Sequence, residues 1–508
     1  MSGPPVLIIG AGPTGLVLAL CLARHGVPFR IIDRAAGPGQ ASRAIAVQAR
    51  TLELYQMLGI ADGAVALGIP MDTIRVRRGV RDVVRLSLAG MGQGVSPYPF
   101  VLCLAQDDHE RYLGEMLRAA GITIEWGVEL VGLEQGPDGA RATLLHGGRE
   151  ERCETAYVCG CDGAHSRARH ALGIGFPGGI YPQSFFVADV QADAAFRHEL
   201  VMNLGADTLA LLLPVRVSGM HRLIGIVPAD LRGREELNFE DLRPHIEPLI
   251  GARILRVNWL STYNIHHRVA DRFHLGRVFL SGDAGHIHSP AGGQGMNTGI
   301  GDAFNLGWKL GAVVSGRAAP ALLDTYEPER IAFARRLVAT TDTLFRLATG
   351  SGWQGWLLRT WGIPLLGPLL TSFARVRQLM FETISQTTIS YRGGALAEGS
   401  VGRIQAGDRM PLVPPADNFG RLNYAWRAQV FGEANPAFAA EAASLGLSLD
   451  VFPWSRSAYR AGLRQGAAYV LRPDGHVGLA SPRQEATRLR AYLAQHGLRP
   501  GPVPSPGT

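Results

Sequence analysis

Residues 6 to 34 read VLIIGAGPTGLVLALCLARHGVPFRIIDR. The unbroken apolar run Val6 to Ile9 predicts a strand buried on both faces. Gly10, Gly12 and Gly15 follow it as a GxGxxG turn, in which the first two glycines permit a tight bend and close backbone approach and the third lets a helix pack on the sheet. Leu16, Ala19, Leu20 and Ala23 continue at helical spacing until Gly26 stops that helix. A second strand begins at Phe29 and ends in Asp33, followed by Arg34. Asp33 lies 21 positions beyond Gly12, close to the roughly 20 expected of an acid that hydrogen-bonds a ribose hydroxyl. The helix N-terminus is then placed to hold a pyrophosphate. Strand, glycine turn, helix, strand and acid in register predict a Rossmann-like dinucleotide unit, but that unit serves NAD and FAD alike.

A second stretch separates the two. Residues 281 to 302, SGDAGHIHSPAGGQGMNTGIGD, hold seven glycines in 22 positions. The run RVFLS before it reads as a strand, and Ile300, Ala303, Phe304 and Gly307 after it share one helical face. The segment is therefore a strand-to-helix crossing that presents bare backbone to a ligand. Asp283, at the strand end, is placed to accept hydrogen bonds from ligand hydroxyls. The amides of Gly295, Met296 and Asn297 open the next helix and favour negative charge on the electron-accepting edge of a flavin. His286 and His288 form an HxH pair without a third ligand of suitable spacing, so no metal site is expected.

Bulk properties exclude several classes. With 46% apolar and 18% charged residues the 508-residue chain reads as a folded protein of several domains. The net charge of +7 comes from arginines scattered along the chain, with Lys309 the only lysine; without a basic block, no nucleic-acid partner is expected. Five cysteines, all before residue 162 and without CxxC spacing, suggest neither a disulfide framework nor zinc, and a reducing compartment. Met1 leads straight into the strand pattern without a signal-peptide n-region, so the expected location is cytoplasmic. The apolar stretch from Trp356, WLLRTWGIPLLGPLLTSF, is interrupted by Arg359 and two prolines and reads as a buried helix, without stable membrane insertion.

Three motifs together resemble the FAD-dependent aromatic hydroxylases, the class A flavoprotein monooxygenases: GAGPTG at 10 to 15, CDGAHSRAR at 161 to 169, and GRVFLSGDAGHIHSPAGGQGMNTGIGDAFNLGWKL at 276 to 310. DTYEPER at 324 to 330 is a weaker fourth. The resemblance implies that Gly10, Gly12, Pro13, Thr14, Gly15, Asp33 and Arg34 hold the ADP part of FAD, with Asp33 where the family often has Glu. Arg43 and Gln106 resemble residues near the flavin, and Asp162 the motif serving both FAD and NADPH. Asp283 resembles the residue that binds the ribityl or ribose region. Gly295, Met296 and Asn297 resemble the flavin-ring backbone contacts, with Pro290 and Gly293 in the same cofactor-binding loop. His286 sits where the family's GDAAH pattern has a histidine beside the cofactor. No residue is singled out as catalytic.

The implied fold is α/β, a Rossmann-like FAD-binding domain in two parts (1–178 and 270–400), an inserted antiparallel-sheet substrate domain (179–269) and a thioredoxin-like C-terminal domain (401–508). Residues 73 to 100 are a further candidate piece of the substrate domain, and Leu212, Pro214, Tyr98 and Phe100 are candidate pocket residues. The C-terminal resemblance rests on AGDRMPLVP and AAYVLRPDGHVGLA. No cysteine follows Cys161, so a dithiol function there is excluded; all cofactor motifs precede residue 401, which makes the tail dispensable for the chemistry. PGPVPSPGT reads as a disordered tail. The resemblance also implies the reaction: NADPH reduces FAD, O2 adds to it as a C4a-hydroperoxide, and an electron-rich aromatic small molecule, a phenol or a polycyclic polyketide, takes one oxygen atom. Baeyer–Villiger insertion or epoxidation on the same scaffold, a flavin-bound protein without turnover, and a plain dehydrogenase are the alternatives. A monomer or homodimer is expected.

Overall fold

In the computed structural model, which describes residues 5–39, 44–193, 196, 198–205, 208–215, 220–234, 236–289, 291–349, 362, 369 and 372–501, the first strand is Val6–Ile9, buried along its whole length. It lies inside a six-stranded sheet between Tyr157–Gly160 and Phe29–Asp33, both parallel to it. Glu125–Trp126 extends one edge in parallel, and Val278–Leu280 and His274–Leu275 extend the other. Every side chain of Val6–Ile9 must be apolar because helices cover the sheet. The helix Pro13–Arg24 follows the glycine turn, with Pro at its first position, where its missing N–H costs nothing. The 20-residue helix Gly295–Val314 packs against it. The chain thus has the mixed α/β architecture that the glycine fingerprint predicts.

The expected antiparallel sheet is present, with eight strands. Gly178–Ala192, Ile254–Val269, Met220–Ile226, Leu209–Pro214 and Glu199–Leu204 come from the expected insertion, and Thr73–Arg78 and Arg81–Ser87 join from the earlier segment. Only the pairing of Glu199–Leu204 with Thr73–Arg78 is parallel. One face packs on the helix Phe239–Ile250 through Phe186, Leu212, Leu223, Leu242 and Ile246. The other face belongs to a separate apolar cluster that includes Ile45, Met71, Met91, Cys103, Leu213 and Phe381. At its edge the sheet is paired by His286–Ile287, so the glycine-rich cofactor segment is itself its last strand.

The C-terminal unit is a four-stranded sheet, Ser448–Phe452, Arg427–Phe431, Ala468–Leu471 and Val477–Ser481 in that order, with helices Pro436–Ser444 and Ala486–Gln495 packed together. It shares one continuous apolar core with the first sheet. Trp308 meets Trp426 edge to face at 5.7 Å between ring centroids, and the Tyr424 hydroxyl donates to the Phe304 carbonyl at 2.8 Å.

Charged groups seal this contact. Arg472 makes a two-pronged pair with Glu329, at 2.7 and 2.9 Å, and also reaches Asp474 at 2.7 Å. Lys309, the chain's lone lysine, donates to Glu329 at 2.9 Å and to Asn305 at 2.8 Å. Arg409 grips Glu53 at 2.5 and 2.8 Å, and Arg50 joins Glu53 to the Asp474 carbonyl. Arg409 and Arg472 lie in the two stretches that single out the C-terminal unit in the sequence.

Two expected outcomes follow from these pairs. Cutting the chain at about residue 401 takes Arg409 from Glu53 and Arg472 from Glu329 while both carboxylates are buried, and losing one partner of such a pair costs about 3 to 5 kcal/mol. The C-terminal unit is therefore not dispensable: the truncated chain should be insoluble or unfolded, whereas a soluble, flavin-loaded fragment would contradict this packing. Burial pushes the Glu329 carboxyl up, but Arg472 and Lys309 outweigh it and bring the group down to about 2 from its ordinary 4.5. Because the folded value is the lower one, the stabilisation is complete above pH 4.5 and fades as pH falls toward 2. Acid unfolding followed by circular dichroism should show this loss, and Glu329→Gln should flatten it.

Candidate cofactor and substrate site

The site is assembled by close approaches at bare glycines. A Cβ at Gly10, whose φ is +104°, would stand 2.4 Å from the Cys161 carbonyl oxygen, so the fingerprint turn touches the tip of the neighbouring strand directly. A Cβ at Gly282, φ +63°, would stand 2.5 Å from the Thr14 hydroxyl oxygen. These contacts place the fingerprint, the CDG motif and the glycine-rich loop at one end of the parallel sheet. In open α/β sheets this carboxyl end is where ligands bind. Arg169 ties the second motif to the third, donating to the carbonyls of Ala164 at 2.8 Å and Ala284 at 2.9 Å.

Each described residue of the expected set has a definite place. The helix after Gly12 has no side-chain cap, and a Cβ at Gly12 would meet nothing within 4 Å. Open space and free helix-end amides are what a pyrophosphate needs. Asp33 accepts from the backbone N–H of Ala11 at 2.7 Å and of Ala35 at 2.8 Å, so it braces the turn it was expected to serve. Arg34 is exposed beside it. Asp162 accepts from the N–H of Arg167 and Ala168 through one oxygen; its other oxygen is buried without a partner among the described residues. Asp283 is exposed at the strand end.

The flavin-ring end is knitted by Asn297. Its side-chain oxygen accepts from the Gln48 N–H at 2.8 Å and the Thr51 hydroxyl at 2.7 Å, and its amide donates to the carbonyls of Ala46 and Gly293. With its side chain thus engaged, Asn297 offers a ligand its backbone, like Gly295. Met296 packs partly buried against the main core. Gly293 presses on Ala46, where a Cβ would come within 2.7 Å. Gln106 receives the Ala44 N–H at 3.1 Å and so fixes the segment that follows Arg43. Arg43 and Pro290 themselves lie outside the described residues, as does most of the stretch from Trp356 and of the C-terminal tail.

Both histidines have non-metal partners. His286 Nε2 stands 2.7 Å from the Asp302 carboxylate, and Nδ1 of His288 donates to the Ser289 carbonyl at 2.8 Å. Burial pushes the His288 imidazole down to about 4, keeping it neutral. His266, His267 and Arg268 fall inside the strand Ile254–Val269. Burial drives the thiols of Cys159 and Cys161 far up, so neither is a nucleophile.

Two residues that the sequence reading does not single out are central, Asp302 lying inside the 276–310 motif and Arg222 outside every motif. Arg222, on the substrate sheet, pairs with Asp189 through two 2.8 Å bonds and donates to the Ala44 carbonyl at 3.3 Å. Asp302 links the glycine-rich loop to Arg330. The second apolar face of the sheet includes buried Leu213, with Leu211, Ile224 and Tyr98 partly buried beside it. Leu212, an expected pocket residue, points to the opposite face because alternate strand positions face opposite ways.

Comparison with known proteins agrees with this geometry. Residues 4–341 match the FAD binding domain family. The chain is 39% identical to 6-methylpretetramide 4-monooxygenase of Streptomyces rimosus over 67% of its own length and 62% of that relative's. It is 30% identical to rifampicin monooxygenase of Streptomyces venezuelae over 96% of its length and 98% of the relative's. Among solved structures, the OxyS anhydrotetracycline hydroxylase from Streptomyces rimosus superposes with a TM-score of 0.78 at 28% identity, over 99% of this chain and all of that one.

The described residues fit FAD: open space at Gly12, an unpartnered buried oxygen on Asp162, an exposed Asp283, and bare backbone at Gly295. Replacing Asp283 by Ala should weaken FAD retention without unfolding the protein, by about tenfold to a hundredfold for loss of a charge-assisted hydrogen bond. Flavin released on dilution, read by fluorescence, measures it.

Proposed function

The chain belongs to the FAD binding domain family, and from that premise we propose that it is an NADPH-dependent aromatic hydroxylase whose substrate is a fused-ring polyketide or a related phenol. The observation that carries this reading is the continuity of the cofactor loop with the substrate sheet. His286–Ile287 is both the middle of the glycine-rich segment and the edge strand of the eight-stranded sheet. A cofactor held by that segment would therefore lie at the edge of the sheet that also carries the apolar cluster of Met71, Met91, Cys103, Leu213 and Phe381. The relatives named for 6-methylpretetramide and anhydrotetracycline support the fused-ring class.

Bound FAD supplies the electrons that activate O2, and the protein supplies placement and exclusion of water. The first-turn amides of Gly295–Val314, where no side chain caps the helix, stabilise negative charge at the ring edge. The apolar side chains on this face of the sheet suit a flat aromatic substrate and the exclusion of water from the reacting centre. Arg222 ties the sheet to the segment at Ala44 that Gln106 also holds. Asp162, beside the fingerprint, has one buried oxygen without a partner among the described residues, and that oxygen could serve the cofactor. Neither a metal nor a thiol is needed for this chemistry.

The expected outcome is that a matching aromatic compound accelerates NADPH oxidation and gains one oxygen atom from labelled O2. Hydroxylation leaves the carbon skeleton intact, whereas ring expansion would reveal Baeyer–Villiger insertion. Oxygen drawn from water, or oxidation without oxygen gain, would contradict the hydroxylase reading.

A further inference from the structure

Asp302 is 0% exposed, on the helix Gly295–Val314, and neither of its oxygens is idle. One accepts the Gly282 N–H at 3.0 Å and stands 2.7 Å from His286 Nε2. The other accepts from Nε of Arg330 at 2.5 Å. Gly282 is the residue whose bare Cα rests on Thr14 of the fingerprint, and Asp283 is the next residue along. A single carboxylate therefore sets the position of the turn that presents Asp283 and presses it against the dinucleotide turn. Arg330 is itself aligned from two sides: it donates to the Thr298 carbonyl at 3.1 Å and to the Tyr391 hydroxyl at 2.9 Å. Tyr391 in turn packs on His476 of the C-terminal hairpin, with ring centroids 4.4 Å apart.

We propose that Asp302 is the positioning residue for FAD, acting through Gly282 and His286, and that Arg330 and Tyr391 extend its control to the C-terminal unit. The inference rests on the FAD reading above. Its physical basis is that a buried carboxylate with opposing donors has only one low-energy arrangement, because moving any donor leaves charge or a polar atom unsatisfied. Asp302 is held ionised: burial pushes its carboxyl up, but Arg330 and His286 outweigh burial and hold it below the usual range. The Gly282 turn is accordingly preorganised before ligand arrives, and loosening it costs affinity without removing any contact to the cofactor.

Two variants of the full-length protein test this. Asp302→Asn keeps the shape but removes the charge and one acceptor; Tyr391→Phe removes only the hydroxyl that aligns Arg330. FAD retention is read by flavin fluorescence on serial dilution of the holoenzyme, and Tm is measured with and without added FAD. The expected result is an FAD Kd raised about tenfold or more in Asp302→Asn and about threefold or more in Tyr391→Phe, with the Tm gain from added FAD shrinking in both. A purely architectural role would lower Tm equally with and without FAD and leave Kd unchanged, and that result would overturn the proposal. Should Asp302→Asn fail to fold, Tyr391→Phe alone decides between the two outcomes. An unmodified protein that binds no FAD would overturn the cofactor reading itself, an outcome distinct from normal FAD binding in both variants.

Discussion

The structure depends on close approaches that a side chain on glycine would prevent: the fingerprint turn meeting two other chain segments at Gly10 and Gly282. Gly10 lies on the Cys161 carbonyl, and Gly282 lies on Thr14. In each case the missing Cβ is what lets segments some 150 to 270 residues apart in sequence form one ligand cradle. The positive φ values at both positions are also ones that glycine adopts at little steric cost. Everything that follows, from the buried parallel strands to the docking of the substrate sheet, keeps this junction in register.

Charge closes the same junction from behind. Asp302, Arg330, Glu329, Lys309, Arg472 and Asp474 run from the cofactor loop to the C-terminal hairpin with almost no solvent between them. Such buried pairs add little net stability over an apolar substitute, yet they penalise every arrangement that separates the partners. They select one relative placement of loop and C-terminal unit. The absence of C-terminal cysteines removes a redox role from that unit, and its charged contacts give it a structural one.

Much of the architecture is legible in the sequence because its signals are local. The dinucleotide unit lies within 29 consecutive residues, and the strand-to-helix crossing at 281 to 302 declares itself by glycine alone. Alternating apolar runs reveal the substrate sheet, including the contribution of residues 73 to 87. What stays hidden is long-range pairing. Glu53 and Arg409 are 356 positions apart, and an isolated acid on an amphipathic helix reads as ordinary solvent-facing polarity. Leu212 was misplaced because a strand's two faces are equally apolar when both are covered. The chain's lone lysine, Lys309, sits inside the buried network, where its ammonium donates to Glu329.

The most direct test of the account is the identity of the ligand that the full-length protein carries. Heat release followed by mass analysis should give FAD, about one per chain, with the yellow flavin spectrum lost from the protein as it is released. Recovery of NAD or FMN in its place would contradict the assignment of the two glycine-rich segments to the two ends of one flavin dinucleotide.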